Sequence, residues 1–133
     1  MKQSSRRTFV KTGIMASVAT TTGLSVAADA PVHPFIHHVF FWLKNPDSEA
    51  DKAKLVEGLK TLLLIPSIKT AHIGQPASTR RNVIESSYAI SWLLFFDTPE
   101  EEAVYQQHPI HLKFVEDYSH LWEKVVVYDS VGV

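Results

Sequence analysis

The segment Tyr105-Gln-Gln-His-Pro-Ile-His111 decides how the second half of the chain folds, because a proline separates two stretches of helical pattern. Pro109 lacks an amide hydrogen and disfavours helical geometry at the preceding residue. We therefore expect one helix to end near Gln107 and another to begin at Pro109, with His111 in its first turn. Tyr105 and His111 would lie on different faces of an unbroken helix, and the break offers a way to bring them together.

His111 opens an apolar stripe. Phe114, Val115, Tyr118 and Trp122 follow it at helical spacing, so a polar ring is predicted among large apolar side chains. One interpretation is a core histidine that is bonded to a backbone carbonyl or a water. The other is a neutral imidazole in a pocket, kept neutral by burial and by the positive end of its helix, and available as a base or hydrogen-bond donor. The pattern alone leaves both open.

The first 30 residues have the pattern of a twin-arginine (Tat) export signal. A basic segment, Ser5–Lys11, contains the paired arginines, and a mildly apolar run of sixteen residues, Gly13–Ala28, follows it. Small residues then flank a cleavage point, which we place after Ala30. A membrane anchor is disfavoured because the run is shorter than the about 20 residues of a spanning helix. The sequence predicts export to the periplasm by the Tat machinery, with no membrane anchor after cleavage.

Removal of residues 1–30 from the 133-residue chain leaves 103 residues, which suits one domain at 31–133. This part has 9 basic and 13 acidic residues, since 4 of the 13 basic and 1 of the 14 acidic residues lie in the signal. A net charge of −4 argues against nucleic-acid binding. The chain contains no cysteine, which excludes disulfides and thiolate chemistry. A small domain without such cross-links needs apolar burial elsewhere, and a subunit interface would supply it.

The elements are expected in the order βαββαβ, the ferredoxin-like arrangement of the α+β class. Strands are predicted at Ile36–Lys44, Ser67–Gly74, Ser87–Phe96 and Glu123–Val131. One helix follows a Ser48 cap and runs until Pro66; the other follows Thr98-Pro99 and, after the break, continues to about His120. The polar segment Gln75–Ser86 is a lid or a long hairpin connection, of which the second is favoured.

The central strands are apolar on both faces. In the first strand Val39, Phe41 and Leu43 alternate with Ile36, Phe40 and Trp42; in the third, Tyr88, Ile90, Trp92 and Leu94 alternate with Ala89, Leu93 and Phe95. Helices can cover only one face of such a sheet, and the other cannot face water. We therefore expect a homodimer in which two sheets pack face to face as an α/β barrel.

Several short motifs occur in an order and spacing typical of one family. They are His38 at the start of the first strand, Ile65-Pro66, Gly74, Tyr88, the segment Tyr105-x-x-His108-Pro109-x-His111, and Tyr128-Asp129. In these residues the chain resembles the stress-responsive A/B-barrel (Dabb) family over nearly the whole domain. The resemblance implies dimeric barrels of ferredoxin-like subunits, most of them without an established activity.

The same resemblance implies a site. A plant member is a polyketide cyclase in which the tyrosine and second histidine of the shared segment act on the substrate. By position these are Tyr105 and His111, with His38 lining the same pocket. Further pocket residues are expected at Tyr88, His108, Phe114, Tyr118 and Trp122. The departures at Trp42 and Trp92 mean that the substrate does not carry over.

Two functions remain open on this basis. The first is binding of a small apolar or aromatic molecule without catalysis. The second is acid/base chemistry of the cyclase or lyase type, with His111 as base and Tyr105 as hydrogen-bond donor.

Metal and cofactor sites are not predicted. His108 and His111 have a ligand spacing, and His37, His38 and His72 add candidates, but no carboxylate lies in a ligand pattern with them. No glycine-rich phosphate loop indicates a flavin, and no one histidine stands out as a haem ligand.

Overall fold

The computed structural model describes residues 34–133, which fold as one four-stranded antiparallel sheet with helices on one face. The elements are β1 (Phe35–Leu43), α1 (Glu49–Leu62), β2 (Thr70–Gly74), β3 (Ile90–Phe96), α2 (Pro99–Gln107), α3 (Pro109–Tyr118), a 3-10 turn (Ser119–Leu121) and β4 (Trp122–Val131). The strand order β2-β3-β1-β4 is that of the ferredoxin-like fold, as predicted. No helix in residues 34–133 is both long and apolar enough to cross a membrane. The predicted signal, residues 1–30, lies outside the described part.

The first two helices begin at the predicted caps. Ser48 Oγ accepts a hydrogen bond from the Asp51 amide at 3.1 Å, and Thr98 Oγ1 accepts one from the Glu101 amide at 3.2 Å. Each bond satisfies an amide that has no partner within its helix.

The predicted break between α2 and α3 is present. His108 lies between the two helices with φ −65° and ψ 137°, the extended geometry that a following proline favours. Its Nδ1 accepts a hydrogen bond from the Ile110 amide at 3.1 Å. His108 is therefore the N-cap of α3, a role that the sequence did not predict.

The helix-covered face of the sheet carries the core. Alternate residues of the central strands are buried there against α1, α2 and α3: His37, Val39, Phe41 and Leu43 of β1, and Ile90, Trp92, Leu94 and Phe96 of β3. The intervening residues form what we call the open face, and in β1 they are Ile36, His38, Phe40 and Trp42. None of the described helices packs on the open face, which is apolar as predicted.

Two strands are shorter than predicted. β2 begins at Thr70 rather than Ser67, after a turn in which the Ile68 amide bonds to the Ile65 carbonyl. β3 begins at Ile90 rather than Ser87, because the Glu85 carboxylate accepts a hydrogen bond from the Ser87 amide at 2.9 Å and holds that residue in the loop.

The late start of β3 changes the position of Tyr88. The sequence placed Tyr88 on the same face as Trp92, but its ring packs on the open face, 4.9 Å from Phe40 and 6.4 Å from Trp42. The segment 75–89 joins the adjacent antiparallel strands β2 and β3, so it is the long hairpin connection.

Candidate functional site

A half-enclosed pocket of about 140 Å³ lies between the sheet and the helices α2 and α3. Its walls are mainly apolar, and its polar groups are imidazoles, an amide and a phenol. It is lined by His37, Val39, Phe41, Trp92, Tyr105, Gln106, His111, Phe114, Val115, Trp122, Val125 and Val127. The break at Pro109 shapes it, because Tyr105 lies in the last turn of α2 and His111 in the first turn of α3.

Tyr105 is buried at one end of this pocket. The indole Nε1–H of Trp92 donates a hydrogen bond to its hydroxyl oxygen at 3.1 Å, and its ring centroid lies 4.7 Å from that of His111. Burial raises the pKa of the Tyr105 hydroxyl well above its usual 10.0; the bond from Trp92 lowers that pKa and the charge of Glu102 raises it. The hydroxyl therefore stays protonated at neutral pH and is available as a hydrogen-bond donor.

His111 has one ring nitrogen engaged by the backbone. Its Nδ1 lies 3.1 Å from the carbonyl oxygen of Gln106, and since a carbonyl only accepts, Nδ1 carries the hydrogen. Burial lowers the pKa of His111, and the Gln106 carbonyl opposes this. In the neutral ring, Nε2 then holds a free lone pair. Both interpretations of His111 from the sequence thus describe part of its environment.

His37 is the histidine of β1 that borders the pocket. Only 5% of it is exposed, and its Nδ1–H donates to Asp129 Oδ1 at 2.6 Å. The Glu102 carboxylate lies 3.8 Å from the same nitrogen, and the Tyr105 ring lies 5.9 Å from the imidazole. His37 and Asp129 are paired across β1 and β4, so the sheet register fixes this contact.

The sequence placed His38 in this pocket, and the structure corrects that position. Successive strand residues point to opposite faces, so burial of His37 against the helices puts His38 on the open face. There its ring lies 4.3 Å from Phe40. Burial, then the neighbouring His72 and His37, lower the pKa of His38.

Only two of the other predicted pocket residues line the pocket. Phe114 and Trp122 line the pocket, with ring centroids 5.7 Å apart. Tyr118 stacks on Phe114 at 5.5 Å but borders a separate groove between α1 and α3. His108 caps α3, and Tyr88 packs on the open face, so neither lines the pocket.

Sequence reasoning missed His37, Asp129 and Glu102. The pair His37-His38 offers two candidates, but both faces of β1 are apolar, so the pattern gives no reason to prefer His37 over His38, the histidine that the family resemblance implies. Asp129 becomes relevant only through pairing with a strand 92 positions away. Glu102 does not stand out in the sequence, because acidic residues are common in the first turn of a helix, where they interact favourably with the helix dipole.

Within residues 34–133, no three histidine, aspartate or glutamate side chains gather closely enough to hold a metal ion. Nδ1 of both His108 and His111 is engaged by the backbone. The chemistry that this arrangement supports is proton transfer and hydrogen bonding.

The sequence of residues 35–131 matches the family described as the Stress responsive A/B Barrel Domain, Dabb. The match covers most of the chain. The chain belongs to the Dabb family. No curated protein matches the chain.

Solved structures similar to this Dabb domain share its fold. A Dabb family protein with a ferredoxin-like fold from Mesorhizobium loti has a TM-score of 0.63 and 22% identity, covering 76% of this chain and 98% of its own. A dimeric ferredoxin-like protein of unknown function from Thermobifida fusca has a TM-score of 0.60 and 16% identity, covering 74% and 91%. The hydroxynitrile lyase from Passiflora edulis has a TM-score of 0.65 and 19% identity, covering 76% and 94%.

Proposed function

We propose that this Dabb domain binds a small, mainly apolar or aromatic molecule in the pocket between the sheet and the helices α2 and α3. The observation that carries the proposal is a cavity of about 140 Å³ with apolar walls and several polar groups at one end. An apolar cavity of roughly 150 Å³ is large enough for a benzene ring. Apolar walls with a few directed polar groups are typical of small-molecule sites.

The mouth of the pocket offers a matched test. Val127 lines it and is 44% exposed, whereas Val131 lies four residues further along β4, is 55% exposed and does not line it. Val127→Phe is expected to weaken binding of a single-ring ligand at least tenfold, and Val131→Phe is expected to leave it unchanged. Native mass spectrometry of the protein purified from its own host identifies the retained molecule. Equal binding by both variants would place the ligand elsewhere.

A second candidate function is acid/base catalysis of the lyase or cyclase type. It is favoured by the lone pair of neutral His111 and the protonated hydroxyl of Tyr105, whose rings lie 4.7 Å apart in one pocket. His111 would remove a proton beside a carbonyl or from a hydroxyl, and Tyr105 would donate to the oxygen on which charge develops. His37, oriented by Asp129, takes the supporting place first assigned to His38. A lyase from Passiflora edulis has this fold, which supports the reaction class by analogy alone.

Turnover distinguishes the two candidates. If the domain is an enzyme, His111→Gln is expected to lower kcat on its substrate by a factor of about 100 or more, the usual contribution of a general base. Binding should change little, because the ring contributes one edge of a mostly apolar pocket. His120→Gln, an exposed histidine of the 3-10 turn, serves as control. A ligand that binds but is never converted would refute catalysis and support binding as the function.

We further propose that two copies of the domain pair through their open faces. The apolar side chains of that face, with no described helix over them, support a partner of the same kind. Related ferredoxin-like structures from Thermobifida fusca and other bacteria are described as dimeric.

Export to the periplasm is also a proposal, and it rests on the Tat pattern in residues 1–30. Mass spectrometry of the protein from a periplasmic fraction is expected to find an N-terminus at Pro31, within a few residues. A full-length chain confined to the cytoplasm would refute it.

A further inference from the structure

Two carboxylates lie behind the polar end of the pocket. Asp129 Oδ1 is 2.6 Å and Glu102 Oε1 is 3.8 Å from Nδ1 of His37. The Glu102 side chain is only 15% exposed, against 45% for Asp129. Glu102 also accepts a hydrogen bond at 2.7 Å from the side chain of Gln106, a residue of the pocket wall.

These carboxylates are not balanced by cations at the pocket. Its lining, within the described residues 34–133, contains no lysine or arginine. His37 can supply at most one positive charge against two carboxylates. His111 is held in its neutral form, since burial lowers its pKa. The polar end therefore has no net positive charge with which to bind an anion.

We propose that the pocket selects ligands with an uncharged polar group, a hydroxyl or a carbonyl, over carboxylates, and that Glu102 determines this specificity. The inference rests on the ligand-binding function proposed above. An anionic group bonded to Tyr105 or His37 would lie close to Glu102 in a shielded site, where like charges repel more strongly than in water. Glu102 has the larger effect of the two carboxylates because solvent screens the half-exposed Asp129.

Benzyl alcohol and benzoate test this selection, because they share one ring and differ in the charge of the polar group. Binding to the full domain at pH 7 is followed through the indole N–H signal of Trp92, which lines the pocket. Wild type is expected to bind benzyl alcohol at least tenfold more tightly than benzoate. Glu102→Gln keeps the size of the side chain and removes its charge, so benzoate should bind at least fivefold more tightly while benzyl alcohol changes by less than twofold.

Glu49→Gln is the matched control, because Glu49 lies at the start of α1 with 83% of its side chain exposed. It is expected to leave both affinities at their wild-type values. If Glu102→Gln does not fold, Asp129→Asn removes the other carboxylate and should raise benzoate affinity in the same direction, by a smaller factor.

Each outcome decides one question. Equal affinities of wild type for the two compounds, or a Glu102→Gln variant with the wild-type ratio, would overturn the specificity inference and leave ligand binding intact. Failure of both compounds to bind wild type would overturn the proposed single-ring pocket and the inference with it.

Discussion

The Tyr105 hydroxyl has a structural role besides any chemical one. It is the hydrogen-bond acceptor of the buried Trp92 indole, at 3.1 Å. Tyr105→Phe leaves that N–H without a partner, and an unsatisfied buried donor costs about 1–3 kcal/mol. We expect the free energy of unfolding to fall by this amount, measured by urea denaturation. A phenylalanine variant therefore reports on catalysis only after its stability has been measured.

A double-mutant cycle with Trp92→Phe checks this cause. In the double variant both donor and acceptor are gone, so its loss should be smaller than the sum of the single losses by about 1 kcal/mol. Strictly additive losses would show that the hydrogen bond contributes nothing to stability.

The burial of His111 predicts a pH dependence of stability. Its pKa in the folded protein is lowered, chiefly by burial, below the 6.5 of an exposed histidine. Between these two values the unfolded chain binds a proton that the folded protein does not bind. The contribution of neutral His111 to the free energy of unfolding is therefore fully present above about pH 6.5, and it is lost as the pH falls towards the folded pKa. Urea denaturation at pH 7.5 and 5.5 measures this loss.

His111→Gln removes the group and should reduce the acid-induced loss, although His38, whose pKa is shifted in the same direction, maintains part of it. His120→Gln, at an exposed position outside the pocket, is the matched control. An unchanged loss in His111→Gln would contradict the assigned burial effect.

At the scale of elements, the contact between α1 and α3 depends on a glycine. A Cβ atom at Gly58 would lie 2.8 Å from three ring atoms of Tyr118. Alanine favours a helix interior by up to about 1 kcal/mol over glycine, but overpacking commonly costs about 1–3 kcal/mol. Gly58→Ala is therefore expected to lower the melting temperature. Tyr118→Leu in the same chain should restore part of the loss, and a Gly58→Ala variant more stable than wild type would contradict the close packing.

The elements could largely be predicted, because their signals are local. Ser48 and Thr98 cap helices whatever surrounds them, and Pro109 must interrupt a helix. The start of β3 could not be predicted, since it depends on a hydrogen bond that the Ser87 amide donates to the Glu85 side chain. That bond competes with strand pairing, and the pattern of apolar residues gives no indication of it.

The site could be predicted only in part, because the two faces of β1 are equally apolar in sequence. Tyr105 and His111 are separated by a recognisable break, which offers a way to bring their side chains together. To choose between His37 and His38, one must know which face of β1 the helices cover. Because apolar residues occupy both faces, the sequence does not show this. Asp129 enters through strand register, which no local pattern specifies.

At the scale of the whole molecule, the open face determines the expected assembly. Phe40 lies at its centre, with the rings of Tyr88 at 4.9 Å and Tyr128 at 5.9 Å. Tyr128 is 65% exposed although it belongs to this aromatic cluster. Pairing of two such faces would remove these rings from water, which favours association.

Tyr128→Asp tests this pairing without disturbing the core, because the side chain is mostly exposed in the single subunit. We expect wild type to sediment as a dimer at micromolar concentration and Tyr128→Asp as a folded monomer, since a charge buried without a partner opposes association. Val104→Asp, at a 57% exposed position on the helical side, should remain dimeric. A monomeric wild type would refute the pairing of open faces, whereas a dimeric Tyr128→Asp would place the interface on another surface and leave the apolar open face to a different partner.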